Sequence, residues 1–555
     1  MTDSLPTLTI TNSWHELFQP PGRAALEAAL PAYIQPRRWF GSKARGIASA
    51  QLLDTIPIAD AAEQATIVMV GVSYSDGVPD TYVLPLACAT GEHADQLARD
   101  VPHAVIAYIQ PTGGERGVLY DALLNPGFCA ALLELIAGGV RQAGAVGTIQ
   151  ASPTSAFARL RGSASAPLKP QIVTAEQSNS SIIYGDRLIM KLFRRLEPGL
   201  NPDFEIGRFL TEQSNFAHVP PAAGVVEYVG ADNQPSSLGF LQGFVPNQGD
   251  AWGFTLGKLG EYFTQKPKAL VAAPTIRPLS TRALLGLSRN DLPRASEHII
   301  GSYFEHAQLL GQRTAELHLA LSIHTNDPNF TPEPFAAADQ QAIYDSMCQR
   351  ATQGFATLRR VLDSHALPES LRPGAAQVLA LQDQVFEHYR ALLDNPFTAL
   401  RTRIHGDYHL GQVLYTGADF MIIDFEGEPA RPLSERRRKG SPLQDVAGLL
   451  RSFHYAPYAV LFGQAPGAAF HDRDFAALEP WARTWHRFVS VAFLRSYLAT
   501  AGDAPFLPAT PKELERLLDA FLLDKAIYEL NYELNNRPAW VQIPVEGILQ
   551  LVEIE

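Results

Sequence analysis

At 555 residues and 46% hydrophobic content, the chain is long enough for roughly two to four units with buried cores, and no run of about eighteen apolar residues offers a membrane span. Its 45 Lys plus Arg against 57 Asp plus Glu give a net charge of −12, which repels polyanions and argues against extended nucleic-acid binding. Cys88, Cys129 and Cys348 are too scattered for a zinc site or a disulfide framework, and MTDSLPTLTITNSWHELFQPPG lacks the basic start and apolar stretch of a signal peptide; both point to a cytoplasmic protein with reduced thiols.

In chain order, residues 22–45 read as a helix ending near Pro36 and running into RRWFGSKAR (37–45). This last stretch mixes Trp39 and Phe40 with basic residues and is expected to pack rather than react. From about 48 to 110 the text turns β-branched, with Ser75-Asp76-Gly77 as a hairpin turn, so a small antiparallel sheet is expected with the first helix on it. Residues 118–140 read as a second helix stopped by Gly138-Gly139, and 150–170, rich in Ser, Ala, Pro and Gly, as a flexible connector. Two strands follow, in QIVTAEQSNSSIIYG and DRLIMKLFRR, then a helix from about Pro202 to Gln213 and a strand plus linker, LGFLQGFVPNQGDAW. Beyond 250 the pattern is helical, interrupted by a strand-turn-strand insert; helices resume at Leu443–Phe453, around 477–501 and at Lys512–Asn536.

That insert, HGDYHLGQVLYTGADFMIIDFEGEP (405–429), carries the densest chemistry. Phosphoryl transfer needs a carboxylate against the attacking hydroxyl, plus an amide oxygen and a second carboxylate to hold Mg²⁺ on the nucleotide phosphates. Asp407 fits the first role, and Gln412 with Asp424 the second; Val413-Leu414-Tyr415 and Met421-Ile422-Ile423 form a hairpin around a turn at 416–419. Either motif alone is an ordinary polar turn, but the pair at this spacing favours a kinase. His405 and His409 have no third metal ligand nearby, and His405 is expected to support the backbone.

A kinase also needs a strand lysine on the phosphates and a helix glutamate to hold it. Lys191, in an apolar strand, and Glu205, near the start of the next helix, supply that pair. Ser178, Asn179, Ser180 and Ser181 follow Glu176-Gln177 where a phosphate loop belongs; there is no glycine, but small hydroxyl and amide residues can bring backbone N–H groups to phosphate oxygens. Lys525, Tyr528, Glu529 and Tyr532 recur at helical spacing in KAIYELNYELNNRPAW (525–540), giving one face the rings and charges that a sugar site requires. Asp445 begins a helix where its carboxylate can brace the catalytic loop.

Taken together, RRWFGSKAR, EQSNSSIIYG, the Lys191 strand with NPDFEIGRFL, HGDYHLGQVL, DFEGEP, SPLQDVAGLLRSFHYA and KAIYELNYELNNRPAW resemble the bacterial maltokinase family over nearly the whole chain. The resemblance implies an α+β, bilobal protein-kinase-like fold of the aminoglycoside phosphotransferase type. Its parts are an N-terminal cap subdomain of antiparallel sheet plus helix (1–115), a strand-rich intermediate subdomain (116–248) and a mainly helical C-lobe (249–555). It also implies ATP-dependent phosphorylation of maltose at its anomeric hydroxyl to give maltose 1-phosphate for α-glucan synthesis. Asp407 is then the base, Gln412 and Asp424 hold Mg²⁺, and the Ser178–Ser181 stretch covers the ATP phosphates. A maltose-forming trehalose synthase is the partner the family implies. Gln412 stands where many relatives have Asn, so its metal role needs the longer side chain to reach the same point.

Two alternatives stand beside this reading: a related sugar or aminosugar kinase, such as a glucosamine kinase, and a catalytically silent glucan-binding regulator. The sequence leaves open the roles of Glu426, Glu428 and the Arg436–Lys439 run.

Overall fold

A computed structural model describes residues 5–43, 45–58, 64–164, 166–173, 178–265, 280–290, 300–464 and 472–552. The chain divides into two compact units, Met1–Gln213 with Pro220–Pro246, and Ser214–Val219 with Asn247–Glu555.

The first unit holds two mainly antiparallel sheets. One runs in the order Thr7–Ile10, Val105–Pro111, Gly117–Asp121, Asp80–Thr90, Ala65–Tyr74, Ile47–Ile58, with Arg195–Leu196 paired beside Asp80–Thr90. The helix Gly22–Ile34 buries Leu26, Leu30 and Ile34 against it, as expected. Gly77, at φ 79, completes the expected hairpin turn between Ala65–Tyr74 and Asp80–Thr90. RRWFGSKAR packs: Phe40 is fully buried, and Trp39 and Phe40 both lie against Tyr82.

Two expectations fail here. The segment read as a helix from 118 opens as the strand Gly117–Asp121, and the helix spans only Pro126–Gly138, capped by Asn125 and stopped by Gly139 at φ 60. Val118, Leu119 and Tyr120 are all buried within the sheet, and such a short apolar run carries no period to separate strand from helix. The supposed connector at 150–170 contains the strand Thr148–Pro153, inside the second sheet, and the short helix Phe157–Arg161. The strand alternates there: Ile149 and Ala151 face the core while their neighbours do not.

The second sheet runs Arg141–Ala143, Thr148–Pro153, Ala222–Val229, Pro235–Gly243, Leu188–Phe193, Asn179–Tyr184, Pro170–Val173. The helix Pro202–Gln213 buries Phe204 and Ile206 and follows the strand that carries Lys191.

The second unit is helical and centred on Pro511–Asn536, which packs against Ala337–Asp363, Leu443–Ala459 and Gln542–Val552. Leu514, Leu517, Leu518, Phe521, Leu523, Ile527 and Leu530 are all buried, so apolar positions occupy most of its circumference, the mark of a helix surrounded by others. Each polar side chain on such a helix needs a partner, and this places the site. The expected hairpin forms as Val413–Tyr415 against Phe420–Ile422, closed by the Thr416 N–H on the Asp419 carbonyl at 2.9 Å. Among the described residues, no helix is long and apolar enough to cross a membrane.

Candidate active site

In the first unit, Lys191 is 12% exposed in its side chain, and its Nζ lies 2.6 Å from Asp203 Oδ2. A buried ammonium survives only beside such a charge. Asp203 shares the first helical turn with Glu205, the carboxylate expected from the sequence, and Glu205 is buried alongside it. Asn201 Oδ1 accepts from the Asp203 N–H at 2.8 Å, fixing that turn.

Ser178 lies just ahead of a strand, and Asn179, Ser180 and Ser181 are in it, with Ser181 opposite Lys191 in register. Of the expected phosphate loop, Glu176 and Gln177 lie outside the described residues. Ser180 Oγ accepts from Arg194 Nε at 2.8 Å, and Arg194 also donates to Asp121 Oδ2 at 2.6 Å. The Ser180 hydroxyl therefore keeps its own proton to donate.

In the second unit the catalytic loop is braced from below. Asp445, in the first turn of Leu443–Ala459, accepts from the N–H groups of His405 (2.8 Å) and Gly406 (2.9 Å). His405 Nε2 donates to the Ile423 carbonyl at 2.9 Å, leaving Nδ1 to accept from the Asp407 N–H at 3.4 Å. Gly406 has φ 84, a left-handed backbone that favours glycine, and this turn is what projects Asp407. His405 and Asp445 thus take the supporting roles expected of them.

Asp407 Oδ1 lies 3.1 Å from Lys525 Nζ, and Lys525 sits 4.7 Å over the Tyr528 ring. Burial pushes the Asp407 carboxyl up, but Lys525 and then His409 outweigh it and hold it below the usual carboxylate range. The group is ionised at neutral pH and able to accept a proton. Burial works against the Lys525 charge in turn, and Asp407 more than restores it.

Gln412 and Asp424 stand at the open end of the hairpin, tied by the Ile423 N–H on the Gln412 carbonyl at 3.0 Å. Asp424 has φ 70, a strained conformation for a non-glycine residue of the kind that gathers at functional sites. An amide and a carboxylate oxygen form a hard donor set, which suits Mg²⁺. Glu428 is occupied elsewhere: its carboxylate pairs with Arg350 at 2.9 Å and Arg431 at 2.8 Å. The basic run is partly accounted for as well. Arg436 donates to the Glu426 and Arg431 carbonyls, and Lys439 to that of Pro328.

Lys525, Tyr528, Glu529 and Tyr532 are brought together along one cleft of about 330 Å³, with Trp252, Tyr455, Arg537 and Trp540. Glu529 is bound by Arg451 at 2.6 Å, and Glu533 by Arg537 at 2.7 Å. Sequence reasoning gave no role in the cleft to Trp252, or to Arg451 and Tyr455 within SPLQDVAGLLRSFHYA; Arg537 and Trp540 lay within KAIYELNYELNNRPAW. A larger cavity of about 800 Å³, lined by Arg289, Leu498 and Pro508, includes none of these residues.

Each unit holds parts that a kinase-like phosphotransferase uses: a strand lysine in the first, and in the second a carboxylate on a braced loop with a metal-suited pair on the adjoining hairpin. Residues 33–124 match the maltokinase N-terminal cap domain, and residues 292–488 match the phosphotransferase enzyme family. The chain is thus built from a maltokinase-type cap and a phosphotransferase-family domain. It is 24% identical over 407 residues to a glucosamine kinase of Streptacidiphilus jiangxiensis, covering 72% of this chain and 78% of that one. It is also 24% identical over 386 residues to a glucosamine kinase of Mycolicibacterium smegmatis, covering 69% and 79%. In fold it is similar to a solved glucosamine kinase in complex with glucosamine, ADP and inorganic phosphate, with a TM-score of 0.58 at 19% identity, covering 98% of this chain and all of the other. A second crystal form of glucosamine kinase gives a TM-score of 0.59.

Proposed function

We propose that this protein is an ATP-dependent sugar kinase and that its acceptor is maltose, phosphorylated at the anomeric hydroxyl to give maltose 1-phosphate. The observation that carries the reading is Lys525, which pairs with Asp407 and also lines the aromatic cleft, so that one residue joins the base to the acceptor site.

The chemistry follows from the chain's own groups. Asp407 orients the acceptor hydroxyl and takes its proton as the oxygen–phosphorus bond forms and the bond from the γ-phosphorus to the bridging oxygen breaks, releasing ADP. Being held ionised suits it to a loose transition state, in which proton transfer comes late and orientation matters most. Lys191 neutralises phosphate charge. Gln412 and Asp424 would hold Mg²⁺, which when bound supplies further charge neutralisation on the transferred group.

Maltose is favoured by the match to a maltokinase cap and by the cleft itself. Tyr528, Tyr532, Tyr455, Trp252 and Trp540 offer rings for more than one sugar face, and the charges of Glu529 and Glu533 are each already opposed by an arginine. Glucosamine is the second reading, supported by likeness to proteins of that name along most of the chain. ATP consumption measured with maltose, glucose, glucosamine and aminoglycosides tests the proposal. Turnover highest on maltose is expected; preference for glucosamine reverses the acceptor, and silence on every sugar leaves the regulatory reading.

A further inference from the structure

One buried arginine ties together the two elements on which the proposed reaction depends. Arg350, on the helix Ala337–Asp363, has its side chain 16% exposed and sits between two carboxylates: NH1 is 2.9 Å from Glu428 Oε1, and Nε is 3.0 Å from Asp524 Oδ1. Its guanidinium also lies 5.6 Å over the ring of Tyr528. Glu428 belongs to the loop that follows Asp424, while Asp524 immediately precedes Lys525 on the central helix. Asp524 and Tyr528 share a helix face at i and i+4, so Arg350 grips that face at two points. Lys525 Nζ lies over the same ring, 4.7 Å from its centroid.

We infer that Arg350 is a positioning residue, setting the metal-side loop and the helix that carries Lys525 in one register so that Lys525 meets Asp407. The inference rests on the proposed phosphoryl transfer for its kinetic consequence, though not for its structural one. The guanidinium suits this position because it donates a hydrogen bond to Glu428 through NH1, holds its charge 3.0 Å from Asp524 and stays charged when largely withdrawn from water. An ammonium in its place could satisfy one carboxylate and would leave the other poorly paired.

The test compares Arg350→Met, Arg350→Lys and Asp524→Asn in the full chain, with Arg359→Met, exposed on the same helix, as the control. Two quantities are read. The first is the rate at which Lys525 is acylated by an amine-reactive probe, followed by peptide mass spectrometry; its side chain is 25% exposed and therefore reachable. Displaced from Asp407, Lys525 loses the charge that holds its proton, and acylation is expected to accelerate about tenfold in Arg350→Met and Asp524→Asn. The second is steady-state kinetics with ATP and sugar varied separately. Arg350→Met is expected to lose about 100-fold in kcat with the KM for ATP little changed, Arg350→Lys to recover part of it, and the control to match the parent. Should Arg350→Met fail to fold, Asp524→Asn, which removes a buried charge rather than stranding one, decides the matter by the same two readouts. Unchanged acylation and unchanged kcat would overturn the inference. Faster acylation in a protein that phosphorylates no sugar would overturn the proposed function and leave the positioning role standing.

Discussion

Lys525 Nζ stands 3.1 Å from Asp407 Oδ1, bringing together residues from a loop and from a helix more than a hundred positions later. Asp407 is buried, and burial alone would raise its pKa; Lys525 is the largest influence in the other direction. The ionised carboxylate is the form that accepts a proton, so in the parent the acid limb of kcat/KM lies below the ordinary range for a carboxylate. Removing Lys525 leaves burial less opposed. Lys525→Met is therefore expected to move that limb to higher pH and to reduce kcat at pH 7 at least tenfold. A pH–rate profile of the two proteins measures both effects.

The Lys191–Asp203 pair leads to a prediction about the nucleotide alone. Lys191→Met is expected to raise the KM for ATP about tenfold or more while leaving the KM for sugar near the parent value. Asp203→Asn, by stranding the buried ammonium, is expected to follow it in the same direction. Varying ATP at saturating sugar, then the reverse, separates the two constants.

What the sequence made legible was local. The hairpin, Asp407 and the bracing by His405 and Asp445 could be read because polar residues at fixed short spacings between apolar runs leave few conformations open. Helical spacing placed Lys525, Tyr528, Glu529 and Tyr532 on one face, and the family resemblance gave that face a sugar to bind; the structure sets the four along one cleft. Partners decided by tertiary packing were not. Asp203 and Glu205 share one helical turn, and only the packed helix shows that Asp203 comes within 2.6 Å of Lys191. The Gly117–Asp121 strand read as helix because a fully buried strand loses its alternation. Trp252 and Tyr455 gave no local signal for the cleft, because their place is set by how helices far apart in the chain come together.

The aromatic lining makes a claim about the acceptor. Trp540, carried just beyond the central helix, stacks its ring under Arg537 at 4.4 Å and borders the cleft. A sugar ring resting on it gains about 1 kcal/mol, so Trp540→Ala is expected to raise the KM for maltose about fivefold with little change in that for ATP. Initial rates at varied maltose measure this.

His454 gives a stability prediction. It is 2% exposed, and its pKa lies well below the ordinary value, first because of burial and then because Arg451, His486 and Arg483 oppose a positive charge. The unfolded chain therefore binds the proton at a higher pH than the folded one. The stabilisation is fully present above the unfolded value of about 6.5 and falls as pH drops toward the folded value, by up to about 1.4 kcal/mol per pH unit. The melting temperature is expected to decline from pH 7 to pH 5 and to decline less steeply in His454→Phe, as followed by circular dichroism.

The central claim is that Asp407 serves transfer of phosphate from ATP to a sugar hydroxyl. ³¹P NMR of reactions containing Mg-ATP and maltose, run with the parent and with Asp407→Asn, tests it most directly. The account predicts a new anomeric phosphate resonance in the parent and a rate at least about 100-fold lower in Asp407→Asn. Formation of the sugar phosphate at the same rate by both proteins would contradict it.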